Sequence, residues 1–335
     1  MAAELEQFAS SPLAGMDYRF KTYLANKKSW MGKHMLGNGI PDYAYKTDLE
    51  YRKKLDAIPG IYKIAKTMYS TVVNQEFQKM NMSGVAVGPQ QMPEIYDIAC
   101  DCAKKLGIAV PHIYVSNDDD FNAYAYAIDD IEPFIVVTNN MLFRMSLSEL
   151  KSIIGHECGH IQNNHTLYRF IASDIINGSA RIMGGLAATL LAKLQTLLTT
   201  GVRLTFNMWS RAAEVTADRA AMICCDDVET CYRVNKKLMY GGVKVEDKVD
   251  TDFDIDSLRE QLSLSTENVS RFYELDADHP LSIKRIFAEM EFAQCELLYN
   301  WRPDLREANT ITRSKAACDE RCKRYIDVVR KGEKK

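Results

Sequence analysis

The chain has 335 residues, 47% of them hydrophobic and 26% charged, with a net charge of −3. That is ordinary globular composition, enough for one large domain or two smaller ones, and it gives no electrostatic reason to expect nucleic acid as a partner. The nine cysteines are odd in number and have no paired C-x-x-C spacing; this argues against a cysteine-zinc framework and, with no signal peptide at the N-terminus, implies reduced thiols and a cytoplasmic chain.

In chain order, residues 1–60 are polar and aromatic and are broken by Gly32, Gly37, Gly39 and Pro41. They are expected to form a helical extension, 1–90, that packs on the body. Its basic run from Lys21 to Lys33 is read as a solvated helix face, with contact to a membrane surface as the other reading. Helices are expected at about 61–80 and 93–106, the second ending before Gly107. Three strand-like runs follow, Ile108–Val115, Asn122–Ile128 and Pro133–Thr138. The middle run alternates small and large side chains, which suits a strand with two unlike faces.

A helix then starts at Ser146, with Glu149 three residues on to close a capping box, and Leu150, Ile153, Ile154 and Ile161 recur at helical spacing. A long helical region is expected over 174–238. Within it, residues 182–200 are apolar, but Lys193 and Gln195 interrupt them, so a buried or interfacial helix is expected rather than a membrane span. A helical segment from Pro280 past Glu291 and another near 315–330 complete the order, ahead of a basic tail at 330–335.

The chemistry is concentrated at His156-Glu-Cys-Gly-His160. Two histidines at i and i+4 share one helix face and reach a single ion, while Glu157, one step round, reaches the attacking water without ligating. A third ligand is needed, and Glu214 supplies it, with Asp218 one turn on to accept a hydrogen bond from a ligating histidine. His165, five residues after His160, is out of phase for a ligand on that helix. His34 and His112 have no partner motif. Cys158 points into the core as a small hydrophobe. His279, before Pro280, is placed at a helix N-terminus, where it caps the helix, meets an oxyanion or adds to the metal.

These residues resemble the gluzincin metalloendopeptidases of the CAAX prenyl protease (Ste24-like), HtpX-like and Oma-like type. The resemblance rests on Asn122-Ala-Tyr-Ala-Tyr126, Leu147-Ser-Glu-Leu150, His156–His160, Ser210-Arg-Ala-Ala-Glu214 with Asp218, and His279-Pro280 with Arg285, and it covers about 95–290. It implies an α+β, mainly helical, zincin-like catalytic domain over 91–295 and a C-terminal helical extension over 296–335. It implies one zinc ion on His156, His160 and Glu214, with Glu157 as general base and Asp218 as orienting carboxylate. His279 and Arg285 are implied beside the substrate, and Asn122, Ala123, Tyr124 and Ala125 as the strand that pairs with an extended peptide. The expected activity is endopeptidase cleavage of peptides or proteins, in the cytoplasm or peripherally at a membrane. A latent zinc-binding module blocked by its N-terminal segment is the alternative, and removing about residues 1–90 is the test that separates the two. A zinc aminopeptidase is a further alternative, but its Gly-x-Met-Glu-Asn strand does not occur here.

Overall fold

The computed structural model describes residues 34–36, 39–128, 131–176, 186–241, 254–264 and 282–327. The basic run at 21–33, the start of the apolar stretch at 182–185, His279 with Pro280, and the tail at 330–335 lie outside them. The helices are α1 (Lys46–Asp56), α2 (Ile61–Ser83), α3 (Pro93–Leu106), α4 (Asn139–Arg144), α5 (Leu147–Gln162) and α6 (Thr166–Phe170). They continue with α7 (Leu186–Leu197), α8 (Thr200–Cys224), α9 (Glu229–Met239), α10 (Ile255–Leu264), α11 (Ser282–Ala293), α12 (Glu296–Trp301) and α13 (Lys315–Ile326). The strands are β1 (Val85–Ala86), β2 (His112–Ser116), β3 (Ala123–Ile128) and β4 (Ile131–Thr138), and the architecture is mainly helical α+β.

The four strands form one sheet in the order β1-β2-β4-β3, with β2 and β4 parallel and the outer pairs antiparallel. Side chains alternate across it. Ile135 and Val137 of β4 join the core formed with α3 and α5, while Phe134 and Val136 join the core formed with α2, α6 and α8. The small-large alternation of β3 has the same cause: Ala123, Ala125 and Ala127 face α5, and Tyr124 and Tyr126 face α2. An alanine face lets the motif helix lie close against an edge strand.

The capping box at α5 is present: Ser146 Oγ accepts from the Glu149 amide at 3.3 Å, and Glu149 accepts from the Ser146 amide at 2.8 Å. Lys237 of α9 adds an ion pair to Glu149 at 2.6 Å. The described part of 174–238 is helical, as expected, and divides into separate helices. Residues 171–176 form a wider turn after α6, Thr199 opens α8 by accepting from the Val202 amide, and Cys225–Val228 separate α8 from α9. Hydrophobic periodicity carries across such breaks because the helices on either side bury residues in one core, Leu194 with Phe206 and Ile223 with Val234; a capping threonine is the local signal of a break. No helix of the described residues is long and apolar enough to cross a membrane.

Helices α5 and α8 pack closely enough to bring their functional residues together, and two glycines permit it. A Cβ on Gly159 would lie 2.6 Å from the Ala220 Cβ, and one on Gly155 would lie 2.7 Å from the Cys224 Cβ. Gly159→Ala is therefore expected to push the two helices apart, to destabilise the fold by about 1–3 kcal/mol, and to weaken metal binding in the same variant. Chemical denaturation and a metal titration read the two effects, and a variant of unchanged stability and affinity would rule out this role for the glycine.

The segment ahead of β1 also packs on this pair. The Tyr45 amide donates to Thr216 Oγ1 at 3.0 Å, the Tyr43 hydroxyl donates to Gln162 Oε1 at 2.6 Å, and Arg219 donates to the Tyr43 carbonyl at 3.1 Å. All three contacts are buried, so residues 43–48 are part of the wall behind α5 and α8.

Candidate metal centre and its cleft

His156, Glu157 and His160 follow one another along the buried face of α5, and Glu214 and Asp218 occupy successive turns of α8 opposite. His156 Nε2 and His160 Nε2 are 3.1 Å apart, His156 Nε2 lies 3.4 Å from Glu214 Oε2, and His160 Nε2 lies 3.4 Å from Glu214 Oε1. Four donors about 2.1 Å from a tetrahedral zinc sit about 3.4 Å from one another. The three donor atoms thus have the spacing of one tetrahedral face, and among the described residues they form the one cluster suited to a metal ion. Two nitrogens and a carboxylate oxygen are donors that suit zinc.

Each imidazole is held from behind. His156 Nδ1 is 2.9 Å from Asp218 Oδ1, so the ring donates there and turns Nε2 towards His160 and Glu214. Asp218 is itself gripped by Arg285 of α11, whose Nε donates to Oδ2 at 2.8 Å and whose Nη2 donates to Oδ1. A planar guanidinium matches a carboxylate in this two-pronged way, and it fixes the plane of the carboxylate. Burial acts against ionising Asp218, but Arg285 and then His156 outweigh it and hold its pKa below the ordinary value.

His160 is supported by a different chain. Its Nδ1 is 3.0 Å from His165 Nδ1, and His165 Nε2 is 3.0 Å from Asp48 Oδ2 on α1. Asp48 also accepts from Thr216 Oγ1 at 2.7 Å and from the Trp209 indole at 2.9 Å, and all of these groups are buried. The consistent tautomers are His160 donating to His165 and His165 donating to Asp48, which leaves Nε2 of His160 unprotonated on the side of His156 and Glu214. The helical phase that removes His165 from the ligands presumes that α5 continues. In fact α5 ends at Gln162, and Asn164 adopts a left-handed backbone with φ 55°. That conformation is one asparagine tolerates, and it turns His165 back onto His160. Neither His165 nor Asp48 has a local signal for this role; only the tertiary fold brings residue 48 to residue 165.

The electrostatics of the two histidines differ. Burial opposes protonation of His156, but Asp218 and Glu214 outweigh it and raise its pKa to about 9. Burial and the Arg169 charge lower that of His160. The two Nε2 atoms lie 3.1 Å apart, and a metal ion binds imidazole nitrogens in their unprotonated form. Glu157 lies 4% exposed, its Oε2 buried without a hydrogen-bond partner among the described residues. Burial pushes its pKa up, while Arg169 and His156 pull the other way. Arg169, at the end of α6, lies 3.9 Å from Glu157 and 3.6 Å from Glu214. This cation had no sequence signal of its own.

A cleft of about 250 Å³ opens beside these groups. It is lined by Asn122, Ala123, His156, Glu157, Glu214, Asp218 and Arg285, together with Arg169 and an apolar wall from α4, α5 and α9. Strand β3 is the outer strand of the sheet on this side, and the Ala125 backbone hydrogen-bonds to Glu157. Tyr124 turns to the other face, towards α2 and Asp120. Cys158 is fully buried in the core. His34 pairs with Asp42 and His112 with Glu132, both away from the cleft.

Residues 89–290, more than half of the chain, match the model of a family described as peptidase family M48. The chain is 26% identical over 251 residues to the plastoglobule-localized metallopeptidase 48, chloroplastic, of Arabidopsis thaliana, covering 73% of this chain and 70% of the relative. It is 36% identical over 104 residues to a protease HtpX homolog of Streptococcus gordonii, covering 31% of this chain and 33% of the relative. It is 24% identical over 185 residues to a protease HtpX homolog of Bifidobacterium longum, covering 48% and 58%. The chain thus spans a third to somewhat over half of the length of these two bacterial relatives. No solved structure matches the chain.

Proposed function

The chain belongs to peptidase family M48, and from that membership we propose that it is a zinc-dependent endopeptidase that cleaves peptide bonds at the α5–α8 centre. The observation that carries the proposal is the triangle of donor atoms from His156, His160 and Glu214, at the spacing of one face of a zinc tetrahedron. His156, His160 and Glu214 would hold the zinc ion, which would supply a Lewis acid for the scissile carbonyl and for a water that ionises near neutral pH.

The chain's own groups do the rest. Glu157 takes the proton of the attacking water and delivers it to the leaving amine. Burial supports this role, because a carboxylate with a raised pKa is a better proton acceptor and donor near neutral pH. Asp218, clamped by Arg285, orients His156; His165 and Asp48 orient His160. Arg285, on the cleft wall, and Arg169 supply positive charge towards the carbonyl oxygen as it becomes anionic. His279, implied by the resemblance in the same part of the reaction, lies outside the described residues. An extended substrate pairs with the outer edge of β3 at Asn122–Ala125, beside Glu157. The nine buried, free cysteines support the reducing, cytoplasmic or membrane-peripheral setting expected for the chain. Family membership favours turnover over the latent, binding-only alternative.

Removal of metal provides the test. A chelator should abolish cleavage of an unstructured protein such as casein, and stoichiometric zinc should restore it. Full cleavage by protein shown by metal analysis to be free of zinc would exclude the mechanism.

A further inference from the structure

Beyond the metal centre, the cleft has a second polar feature that the hydrolytic groups do not use. Arg285 and Glu289 lie one turn apart on α11 and face the same way. Arg285 is turned to Asp218, and Glu289, one turn farther on, lines the cleft with Asn235 of α9. Asn235 Nδ2 donates to Glu289 Oε1 at 2.7 Å, and each residue is only 2% exposed. Among the described residues, Glu289 Oε2 and Asn235 Oδ1 have no hydrogen-bond partner. Met141, Ile153, Val234 and Leu238 add apolar side chains to the lining of the same cleft.

Two buried acceptors left without donors in the lining of a cleft are unfavourable in isolation, because native interiors satisfy nearly all such atoms. Glu157 Oε2 is a buried acceptor of the same kind in the same cleft. Burial, followed by the negative charge of Asp218, pushes the Glu289 carboxyl well above the ordinary range, as expected where no cation is paired with it. The cation already in the neighbourhood, Arg285, is engaged with Asp218 and Glu214. The cleft, about 250 Å³ in all, has room for a long side chain beside the metal-site residues.

We propose that Glu289 and Asn235 form a specificity subsite for a lysine or arginine side chain of the substrate residue flanking the scissile bond. The aliphatic stem lies along Met141, Val234 and Leu238, and the charged head donates to Glu289 Oε2 and Asn235 Oδ1. This deepens the peptidase reading and rests on it.

The test uses the zinc-loaded full chain and pairs of peptides that differ at one position, lysine against norleucine, scanned on both sides of the cut. Norleucine keeps the straight apolar stem and lacks the ammonium group. At one flanking position the wild type should favour lysine by tenfold or more in kcat/KM, and Glu289→Gln should reduce that ratio to within threefold. Because both peptides meet the same enzyme preparation, partial unfolding or metal loss cancels in the ratio. A cleavage map of an unbiased peptide library by the wild type alone should show lysine and arginine enriched at that position. Ready cleavage with no such enrichment, or a Glu289→Gln enzyme that keeps the tenfold ratio, overturns the subsite and leaves the peptidase reading standing. A zinc-loaded wild type that cleaves no peptide overturns both.

Discussion

Glu157→Gln is expected to bind zinc as the wild type does and to lose about 10²–10⁴-fold in kcat, the usual contribution of a positioned general base. The glutamine is isosteric, so the packing of a side chain only 4% exposed on α5 is preserved. What is lost is the proton acceptor. The carboxylate is not in the His156–His160–Glu214 cluster proposed to hold the ion, so zinc content should stay at one per chain. Metal analysis and steady-state turnover on one peptide make the comparison. An enzyme retaining more than a tenth of wild-type kcat would remove Glu157 from the role of base, and a loss of zinc would make it a ligand instead.

Asp48→Ala is expected to weaken zinc binding by about 10–100-fold, the effect typical of removing a partner that orients a ligating histidine. It should also destabilise the fold by about 3 kcal/mol or more, because the donors of His165, Thr216 and Trp209 lose a shared buried acceptor. The affinity loss is read by competition with a chromophoric chelator under conditions where circular dichroism shows the variant folded. Wild-type zinc affinity in folded Asp48→Ala would show that the His160–His165–Asp48 chain does not support the metal. Asp48 lies outside the matched region 89–290, and a chain trimmed of its first 90 residues lacks it. Such a truncation removes the support of a metal ligand along with whatever the N-terminal segment covers, so it does not separate latency from activity. Substitutions within 1–33 are the cleaner comparison.

The two predictions divide the site in a way that reflects how it is written in the chain. Glu157 is legible because a helix repeats every 3.6 residues: His156 and His160 share a face by local geometry alone, and the base falls beside them. The Glu214–Asp218 pair is legible for the same reason once a third ligand is sought. The capping box at Ser146 and the alternation of β3 are likewise local, set by backbone hydrogen bonding and by the pleat. The breaks inside 174–238 were less legible, because apolar periodicity is kept on both sides of Thr199 and of Cys225–Val228 while the chain changes direction between helices.

The donor types, their phase on two helices and the alternation of β3 are legible in the chain itself, since each follows from neighbours within a few residues. The tertiary structure decided which partners stand behind each ligand. Asp48 reaches His165 across 117 positions, Arg285 reaches Asp218 across 67, and Asn235 reaches Glu289 across 54. No periodicity extends over such separations. What joins these pairs is the cost of burying a polar group without a partner, and that cost exists only once the helices have packed and excluded water.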